Sequence, residues 1–379
     1  MPPDAFHLRA TVLPYGDAPS DLWVRAGCIH SRPIDGAEAL APEGGYVLPG
    51  LVDAHVHLVT NREYKGLPAG SREVVDRNRG DFLRRGVLLL RDMGAFTRRE
   101  AEQPATLGLP RDDGLPPVIA SGQPLAPEGV FTGIQEPTTP EQLEAHALRR
   151  ARDQHAPWVK VILDNFPPHF APAVDGVPGM VNYREPELRA AADAVHAAGA
   201  RIAVHAFTHE AAASAVAAGV DSIEHGWGLD GDLVEEMARR GIAWTPTLAL
   251  DAMMLDMAAG GRGQSQSAAV GRWLHEAVDR IEPLIVRARR LGVPLLAGTD
   301  GVEPVAREVA RLQQAGLEPA DALATASSAA REALGEPGIE DGAPADLLWF
   351  AHDPRESPEL LEQPDLVLLR GERIESARG

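Results

Sequence analysis

Two histidines, His55 and His57, stand at alternate positions near the end of the apolar run LVDAHVH. Alternate side chains of a β-strand leave the same face, so both imidazoles would point in one direction. Two imidazoles on one face can bind a divalent metal ion, although a structural or solvent-exposed pair has the same spacing. Ligands elsewhere in the chain are needed to decide between these interpretations.

Three more side chains supply such ligands. His205 ends the run RIAVHA, His225 ends DSIEH, and Asp300 ends PLLAGTD. Imidazole and carboxylate ligands suit Zn²⁺, with Mn²⁺, Fe²⁺, Co²⁺ and Ni²⁺ as alternatives. A Zn²⁺ ion can lower the pKa of bound water to about 7, and a carboxylate beside it can take up the proton. The sequence therefore predicts a hydrolytic metal centre in which Asp300 is both a ligand and the catalytic proton shuttle.

The elements that must position these residues follow the rhythm of a β/α repeat. After Gly50, short apolar runs alternate with helical stretches, which is typical of parallel strands joined by helices. Eight strands are predicted, the number that closes a (β/α)8 TIM-type barrel. Their predicted bounds are 51–57, 87–92, 117–121, 158–163, 201–206, 221–225, 243–250 and 294–300. The candidate ligands then lie at carboxyl ends of strands, where barrel enzymes place their active sites.

Two of the predicted connections are long, 121–139 and 164–184. Loops beyond about 12 to 15 residues in a compact domain tend to be functional, for example as covers over an active site. Both follow the carboxyl ends of predicted strands. We therefore expect them at the mouth of the barrel.

The two ends of the chain have a different pattern. Residues 1–48 alternate between short strand-like segments and turns rich in Gly and Pro, and residues 342–379 return to strand-like patterning. We expect both ends to pair in one small β-sandwich domain. Residues 49–341 would form the metal-dependent hydrolase barrel.

Composition excludes several classes of partner. The 379 residues carry a formal net charge of −19, which disfavours nucleic acid and anionic membrane surfaces as partners. Cys28 is the only cysteine, so a metal would be held by nitrogen and oxygen ligands. No apolar run is long enough to span a membrane, and the N-terminus lacks the pattern of a secretory signal. A cytoplasmic protein acting on a small molecule is expected.

Lysine is rare in this chain. Of the 36 basic residues, only Lys65 and Lys160 are lysine. Lys160 lies inside the apolar run WVKVIL, where a charged side chain is unusual. A lysine that persists at such a position is a further candidate for the site, although a strand-end lysine that extends to solvent is the alternative.

In order along the chain, the motifs resemble those of the amidohydrolase superfamily, in its imidazolonepropionase and metal-dependent dipeptidase-like branch. The matching stretches are LPGLVDAHVHL, RDMG, WVKVILD, AVHAF, AAGVDSIEHGW, LLAGTDG and the tail ADALATASSAAREALGEPGIEDGAPADLLWF. They span nearly the whole chain. The resemblance implies a (β/α)8 barrel flanked by a small β-sandwich made from both termini.

The resemblance also divides the ligands between two metal ions, most simply two Zn²⁺. It implies that one ion is bound by His55, His57 and Asp300, and the other by His205 and His225. A hydroxide and a carboxylated Lys160 would bridge the two ions. The chemical reason for a lysine is that a neutral amine can add CO₂, giving a carbamate whose two oxygens bind two cations.

The predicted reaction is hydrolysis of a C–N bond of a small molecule by the metal-bridged hydroxide. The bond would be that of an amide, a lactam, a dipeptide or an N-acyl amino acid. An esterase or lactonase on the same site is an alternative, and a non-catalytic barrel binding protein is an alternative of another class. A deaminase fits less well, because deaminase relatives typically lack the bridging lysine.

The loops depart from the resemblance. Many dipeptidase-like relatives carry Gly-Gly-His and Ser-Gly-Gly stretches where this chain reads QPLAPEGVFTG and LDNFPPHFA. Contacts to a peptide substrate therefore cannot be carried over. The sequence leaves open the substrate, the native metal and the oligomeric state, homo-oligomers included.

Five further residues are candidates for substrate binding, namely Arg91, His169, Tyr183, His209 and Trp227. Arg91 would pair with a substrate carboxylate or, as an alternative, with an internal carboxylate of the barrel. His209 is expected to begin a helix, and Trp227 to form an apolar wall.

Overall fold

The computed structural model describes residues 5–59, 71–94, 106–130, 135–164, 181–259, 268–301 and 303–375. Within these ranges, parallel strands alternate with helices, and strands from both ends of the chain form a separate sheet. The predicted α/β class is confirmed.

The separate sheet contains eight strands and joins the two ends of the chain. In chain order these are β1 (Ala5–Val12), β2 (Pro19–Arg25), β3 (Cys28–His30), β4 (Glu38–Ala39), β5 (Tyr46–Pro49), β15 (Leu347–Phe350), β16 (Leu366–Leu369) and β17 (Glu372–Ile374). The order across the sheet is β17-β16-β15-β5-β1-β2-β3, with β4 beside β1. β5 and β15 are antiparallel, with Leu48 opposite Leu348. A shared sheet of terminal strands is thus confirmed, while its closure into a two-layer sandwich stays a prediction.

All remaining strands are parallel, and four of the six candidate ligands lie on them. They are β6 (Leu51–Val56), β7 (Val87–Asp92), β8 (Val118–Ala120), β9 (Leu125–Ala126), β10 (Glu136–Pro137), β11 (Trp158–Ile162), β12 (Arg201–Ala206), β13 (Ser222–His225) and β14 (Ala243–Thr245). One sheet has the order β6-β7-β8 and the other β10-β9-β11-β12-β13-β14. Seven of the eight predicted strands are therefore present. The short β9 and β10 lie within the long connection 121–139 and were not predicted.

The eighth predicted strand, 294–300, links the two parallel sheets without forming a regular strand. On one side the Leu296 amide donates to the Trp244 carbonyl at 2.9 Å. On the other side the Asp300 amide donates to the His55 carbonyl at 2.7 Å. The segment thus connects β14 with β6 through backbone hydrogen bonds.

The seventh strand is shorter than its predicted range of 243–250. β14 ends at Thr245, and a 3-10 helix follows over Leu248–Leu250. Pro246 explains the difference, because it has no amide hydrogen to donate to a neighbouring strand.

Ten helices are described between and after the parallel strands, together with short 3-10 turns. They are α1 (Arg72–Arg84), α2 (Leu143–Arg152), α3 (Glu185–Ala197), α4 (His209–Ala218), α5 (Gly231–Arg240), α6 (Asp251–Ala258), α7 (Ala268–Leu291), α8 (Val305–Gln314), α9 (Pro319–Thr325) and α10 (Ser328–Leu334). α5 ends at Gly241, which has a left-handed φ of 70° that glycine adopts readily. In the described part of the chain, no helix has both the length and the apolar character needed to cross a membrane.

Residues 319–335 form two helices, α9 and α10, in place of one continuous helix. Between them the carbonyls of Thr325 and Ala326 accept hydrogen bonds from the amides of Ala297 and Val52, each at 2.8 Å. These carbonyls would be used within a continuous helix. The helix is therefore interrupted where it meets the parallel strands.

Seven of the eight predicted strand segments contribute side chains to one buried apolar cluster. Its strand residues include Val52, Leu89, Ile119, Trp158, Ala203, Ala243 and Leu296. A larger buried cluster contains residues of the strands and of the helices, such as Val204 in β12 and Leu188 in α3. The strands thus bury apolar side chains on both faces, as parallel strands covered by helices do.

Candidate metal centre

Three of the predicted ligands converge at strand ends. His55, His57 and Asp300 each offer one ligand atom, and these atoms lie within 4.8 Å of one another. Asp300 Oδ1 is 2.8 Å from His57 Nε2 and 3.6 Å from His55 Nε2. In the described ranges, this is the one group of at least three His, Cys, Asp or Glu side chains with such a geometry.

Both imidazoles are held by their other ring nitrogen. His55 Nδ1 lies 2.7 Å from Glu224 Oε2, and His57 Nδ1 lies 3.1 Å from the carbonyl oxygen of Gly94. A carboxylate and a carbonyl only accept hydrogen bonds, so each Nδ1 is the donor. In the neutral form of either ring, the lone pair of Nε2 then faces Asp300. This orientation is the one in which an imidazole binds a metal ion.

The histidines of the second predicted group lie beside the first. The ring centroids of His205 and His225 are 4.7 Å apart, and that of His225 is 5.1 Å from that of His55. Besides burial, the charge of Lys160 lowers the pKa of all three rings, as expected for an amine close to them. Lys160 is 3% exposed, and its Nζ has no hydrogen-bond partner among the described residues. Burial lowers the pKa of Lys160 to about 8.

Burial and mutual charges set the protonation of the ligands. Burial lowers the pKa of His55, His205 and His225 well below the usual value, so these rings are neutral. Burial also disfavours the charged form of His57, but the Asp300 carboxylate raises its pKa overall. Burial alone would raise the pKa of Asp300, whereas the charge of His57 holds it well below its ordinary range. Neutral imidazole and ionised carboxylate are the forms that ligate metals, so the shifts at His55, His205, His225 and Asp300 favour ligation, whereas the shift at His57 opposes it.

Three residues at the site have a backbone conformation that L-residues rarely adopt. The φ angle is +66° at His225, +50° at Thr247 and +54° at Asp300. Each such residue costs on the order of 1–2 kcal/mol. The turn at the end of β13 directs the His225 ring toward His55, although strand alternation would place it opposite Glu224. Three of the six described non-glycine residues with a positive φ thus lie at the site.

The Thr247 hydroxyl fixes the ring of His225. Thr247 Oγ1 donates to the Pro246 carbonyl at 2.7 Å and lies 2.7 Å from His225 Nδ1. With its hydrogen used in this way, the hydroxyl accepts from Nδ1. As in His55 and His57, the Nε2 atom of His225 is then left for a ligand.

Four buried carboxylates that sequence reasoning missed support the site, namely Glu224, Asp53, Asp92 and Asp164. Asp53 accepts hydrogen bonds from the hydroxyl of Thr299 at 2.6 Å and from its amide at 3.0 Å, next to Asp300. Asp164 accepts from the amides of Phe207 and Thr208 at 2.9 and 2.6 Å, which fixes the loop after β12. Their signal in the sequence is an acidic residue inside an apolar run that also holds a candidate ligand or ends beside one.

Aromatic rings cover one side of the second histidine pair. Phe207 stacks on His225 with centroids 4.7 Å apart and meets His205 edge-on at 4.6 Å. Trp227 lies 5.2 Å from Phe207, and Trp273 of α7 lies 6.3 Å from it. This cluster excludes water from one side of the two imidazoles.

Arg91, a candidate for substrate binding, forms the internal ion pair that was its alternative. It is fully buried, and its Nη2 atom lies 2.8 Å from Glu224 Oε1. A guanidinium with no exposed surface cannot meet a substrate carboxylate at the mouth of the site. The contact predicted for Arg91 as a substrate ligand is therefore not supported.

The other substrate candidates are spread over different environments. Tyr183 is buried and its hydroxyl donates to the Thr138 carbonyl at 2.9 Å, while the buried Trp227 belongs to the aromatic cluster. His209 begins α4 as expected, with a side chain that is 55% exposed. His169 lies outside the described residues.

Comparison with known proteins adds a family and a set of similar folds. The sequence model of the amidohydrolase family matches residues 46–374. Uncharacterized proteins of Mycobacterium tuberculosis and Mycobacterium bovis are 35% identical over 378 residues, covering 96% of this chain and 94% of theirs.

Two solved structures illustrate the shared fold. A Xaa-Pro dipeptidase with bound methionine superposes with a TM-score of 0.80 and 20% identity, covering 98% of this chain and 100% of its own. Aspergillus niger ochratoxinase gives a TM-score of 0.76 and 17% identity, with 99% and 96% covered. At these identities the likeness is one of fold.

Proposed function

Because this chain belongs to the amidohydrolase family and is on that basis a hydrolase acting on C–N bonds, we propose that it hydrolyses a small-molecule amide at a divalent metal centre. The observation that carries the proposal is the convergence of His55, His57 and Asp300 within 4.8 Å. The amide, lactam, dipeptide and N-acyl amino acid classes are all included.

We further propose that the parallel strands form a closed (β/α)8 barrel over residues 49–341, with the ends 1–48 and 342–379 in the small sheet domain. Two observations support closure. The segment 294–300 is hydrogen-bonded to β14 on one side and to β6 on the other. In addition, side chains from seven of the eight strand segments meet in one buried cluster, as they do inside a barrel.

The donor set fits two divalent transition-metal ions, most simply Zn²⁺. One ion would be held by His55, His57 and Asp300, and the other by His205 and His225, with Lys160 between them. The Nζ of Lys160 is buried without a hydrogen-bond partner, which costs folding free energy. A role as a metal ligand would explain a lysine at this position and so supports the assignment. A bound cation would supply Lewis-acid polarisation of the scissile carbonyl and activation of water at neutral pH.

Lys160 is proposed to bridge the ions as a carbamate. Its neutral Nζ attacks CO₂; an N–C bond forms while one C=O π bond breaks and its electron pair moves to oxygen, and a proton leaves the nitrogen to solvent. The product carries two oxygens and a negative charge in place of an amine. This change converts a side chain that repels cations into one that binds them.

Asp300 is proposed to move the proton during hydrolysis. Its carboxylate lies among imidazole nitrogens and is a quarter exposed, so it is reachable from the mouth of the site. The ionised form, which the charge of His57 favours, can accept a proton from attacking water. The same carboxyl group can then protonate the departing nitrogen of the amide.

The decisive experiment combines metal content with a substrate screen. We expect about two equivalents of a transition metal per chain, by elemental analysis of protein purified without chelator. The screen should include amides, dipeptides and N-acyl amino acids, since similar folds include a dipeptidase, and matched esters and lactones as the competing class. A chain that binds no metal after reconstitution and hydrolyses none of these would overturn the proposal.

A further inference from the structure

The carboxylate of Glu224 is fully buried, and both of its oxygens are in use. Oε2 accepts from His55 Nδ1 at 2.7 Å. Oε1 accepts from Arg91 Nη2 at 2.8 Å and from the Ser222 hydroxyl at 2.5 Å. The carboxylate therefore connects a candidate metal ligand with a buried cation.

Several contacts also fix the position of the Arg91 guanidinium. Its Nε atom donates to the Ala54 carbonyl at 2.6 Å, and Nη2 also donates to the Thr245 hydroxyl at 3.0 Å. The guanidinium lies 4.7 Å above the ring of Trp158. Contacts from β6, β11, β13 and β14 thus fix its position, and Glu224 cannot turn away without removing the carboxylate from the guanidinium.

Stability alone does not account for this arrangement. A buried ion pair costs desolvation energy, and an apolar pair of similar volume is often equally stable. What an apolar pair cannot do is accept a hydrogen bond from His55. The Arg91–Glu224 pair therefore differs from an apolar pair in that Glu224 also accepts a hydrogen bond from a ring nitrogen of His55, a candidate ligand.

We propose that Glu224 is a positioning residue that fixes the tautomer and orientation of His55 for metal binding, and that Arg91 acts through Glu224. The inference rests on the metal centre proposed above and deepens it. Because a carboxylate only accepts, His55 must carry its hydrogen on Nδ1 and present the lone pair of Nε2 beside Asp300. Partners of this kind typically change metal affinity by about 10 to 100-fold when removed.

The first test is the Glu224→Gln variant of the full chain. The amide of Gln has one acceptor and one donor end, so it cannot accept from both His55 and Arg91. We expect the affinity for one Zn²⁺ equivalent to fall by about 10 to 100-fold, measured by competition with a chromophoric chelator. Wild-type affinity in a folded variant would overturn the proposal.

A double variant tests whether Arg91 acts through Glu224. Adding Arg91→Met to Glu224→Gln should change the Zn²⁺ affinity by less than about threefold, since the path from Arg91 to His55 is already broken. A further loss as large as the first would show that Arg91 acts on the metal site by another route, and would refute that part of the proposal.

An ion pair away from the site, buried at its arginine, provides the control. Arg79 of α1 is fully buried and meets Asp113 through two hydrogen bonds of 2.8 Å. Asp113→Asn removes one carboxylate charge from an arginine–carboxylate pair that touches no candidate ligand. It should lower the thermal midpoint and leave the Zn²⁺ affinity unchanged.

A second measurement does not depend on whether a variant at position 224 folds. Nitrogen NMR of ¹⁵N-histidine in the metal-free wild-type chain reports which ring nitrogen carries the hydrogen, with His55→Asn used for assignment. We expect hydrogen on Nδ1 of His55, and hydrogen on Nε2 would overturn the role of Glu224. A wild-type chain that binds no Zn²⁺ would instead contradict the metal centre itself, while the NMR result would still decide the role of Glu224.

Discussion

His55 and Asp300 meet at two points, through a backbone hydrogen bond and through the proximity of their side chains. The Asp300 amide donates to the His55 carbonyl at 2.7 Å, and Asp300 Oδ1 lies 3.6 Å from His55 Nε2. The first contact connects the segment 294–300 with β6, and the second belongs to the candidate metal centre. A substitution at position 300 can remove the second contact and keep the first, because only the second depends on the carboxylate.

Asp300→Asn should therefore reduce turnover strongly while the fold persists. The backbone hydrogen bond is kept, but an amide cannot take up a proton at neutral pH. We expect kcat to fall by about 10²–10⁴-fold, measured as initial rates on metal-reconstituted protein. The control is Asp341→Asn on an exposed loop, which should behave as wild type. Near-normal activity of Asp300→Asn would remove Asp300 as the proton shuttle.

Lys160→Ala should reduce the metal content from about two equivalents to about one, because the bridging group is lost. A small carboxylate such as acetate should restore part of the second equivalent by filling the space that the side chain leaves. Lys160→Arg is the control for charge, since a guanidinium keeps the cation but forms no carbamate, and it too should hold one equivalent. Unchanged stoichiometry in Lys160→Ala would rule out the bridge.

In the metal-free protein, the buried Lys160 should lower the free energy of unfolding. Burial lowers the pKa of this lysine from its usual 10.5 to about 8, so between these values the unfolded chain binds a proton that the folded chain lacks. Folding stability then rises with pH through this window, and the full penalty is present below it. Lys160→Met should stabilise the metal-free protein at pH 7 by about 3 kcal/mol.

Urea unfolding of the metal-free proteins at several pH values checks this prediction. The gain from Lys160→Met should shrink above pH 8 and vanish above about 10.5, where the lysine is neutral in both states. A gain that did not vary with pH would mean that packing, rather than protonation, separates the two proteins.

Thr247→Val should weaken metal binding through His225. Valine keeps the branched Cβ at this backbone position but removes the hydroxyl that accepts from His225 Nδ1. We expect affinity for one equivalent to fall by about tenfold or more, measured by chelator competition. Thr11→Val, in β1 of the terminal sheet, is the matched control and should bind metal as wild type. If both variants bound equally well, the hydroxyl would have no role in orienting the ring.

The meeting of His55, His57 and Asp300 could be predicted from sequence, for two simple reasons. Strand alternation puts His55 and His57 on one face, and parallel strands bring their carboxyl ends to the same side. The assignment of all six side chains to two metal ions remains a prediction from residue type and family resemblance.

The supporting contacts could not be predicted in the same way. In DSIEH, alternation places Glu224 opposite His225, and nothing local shows that the φ of His225 is positive. Arg91 reads equally well as a substrate ligand or an internal ion pair until β7 and β13 are placed together. The break between α9 and α10 depends on amides of Val52 and Ala297, which are distant in sequence.

The pairing of β5 with β15 has a consequence during synthesis. Leu48 faces Leu348, so β5 lacks this neighbour until about 300 further residues have been made. At 5–20 residues per second, the wait is on the order of 15 to 60 s. Ribosome-bound chains that stop before β15 should therefore be cut by protease within residues 5–49, and protection should appear once β15 emerges. The order in which the strands are synthesised thus differs from the order in which they pair across the sheet.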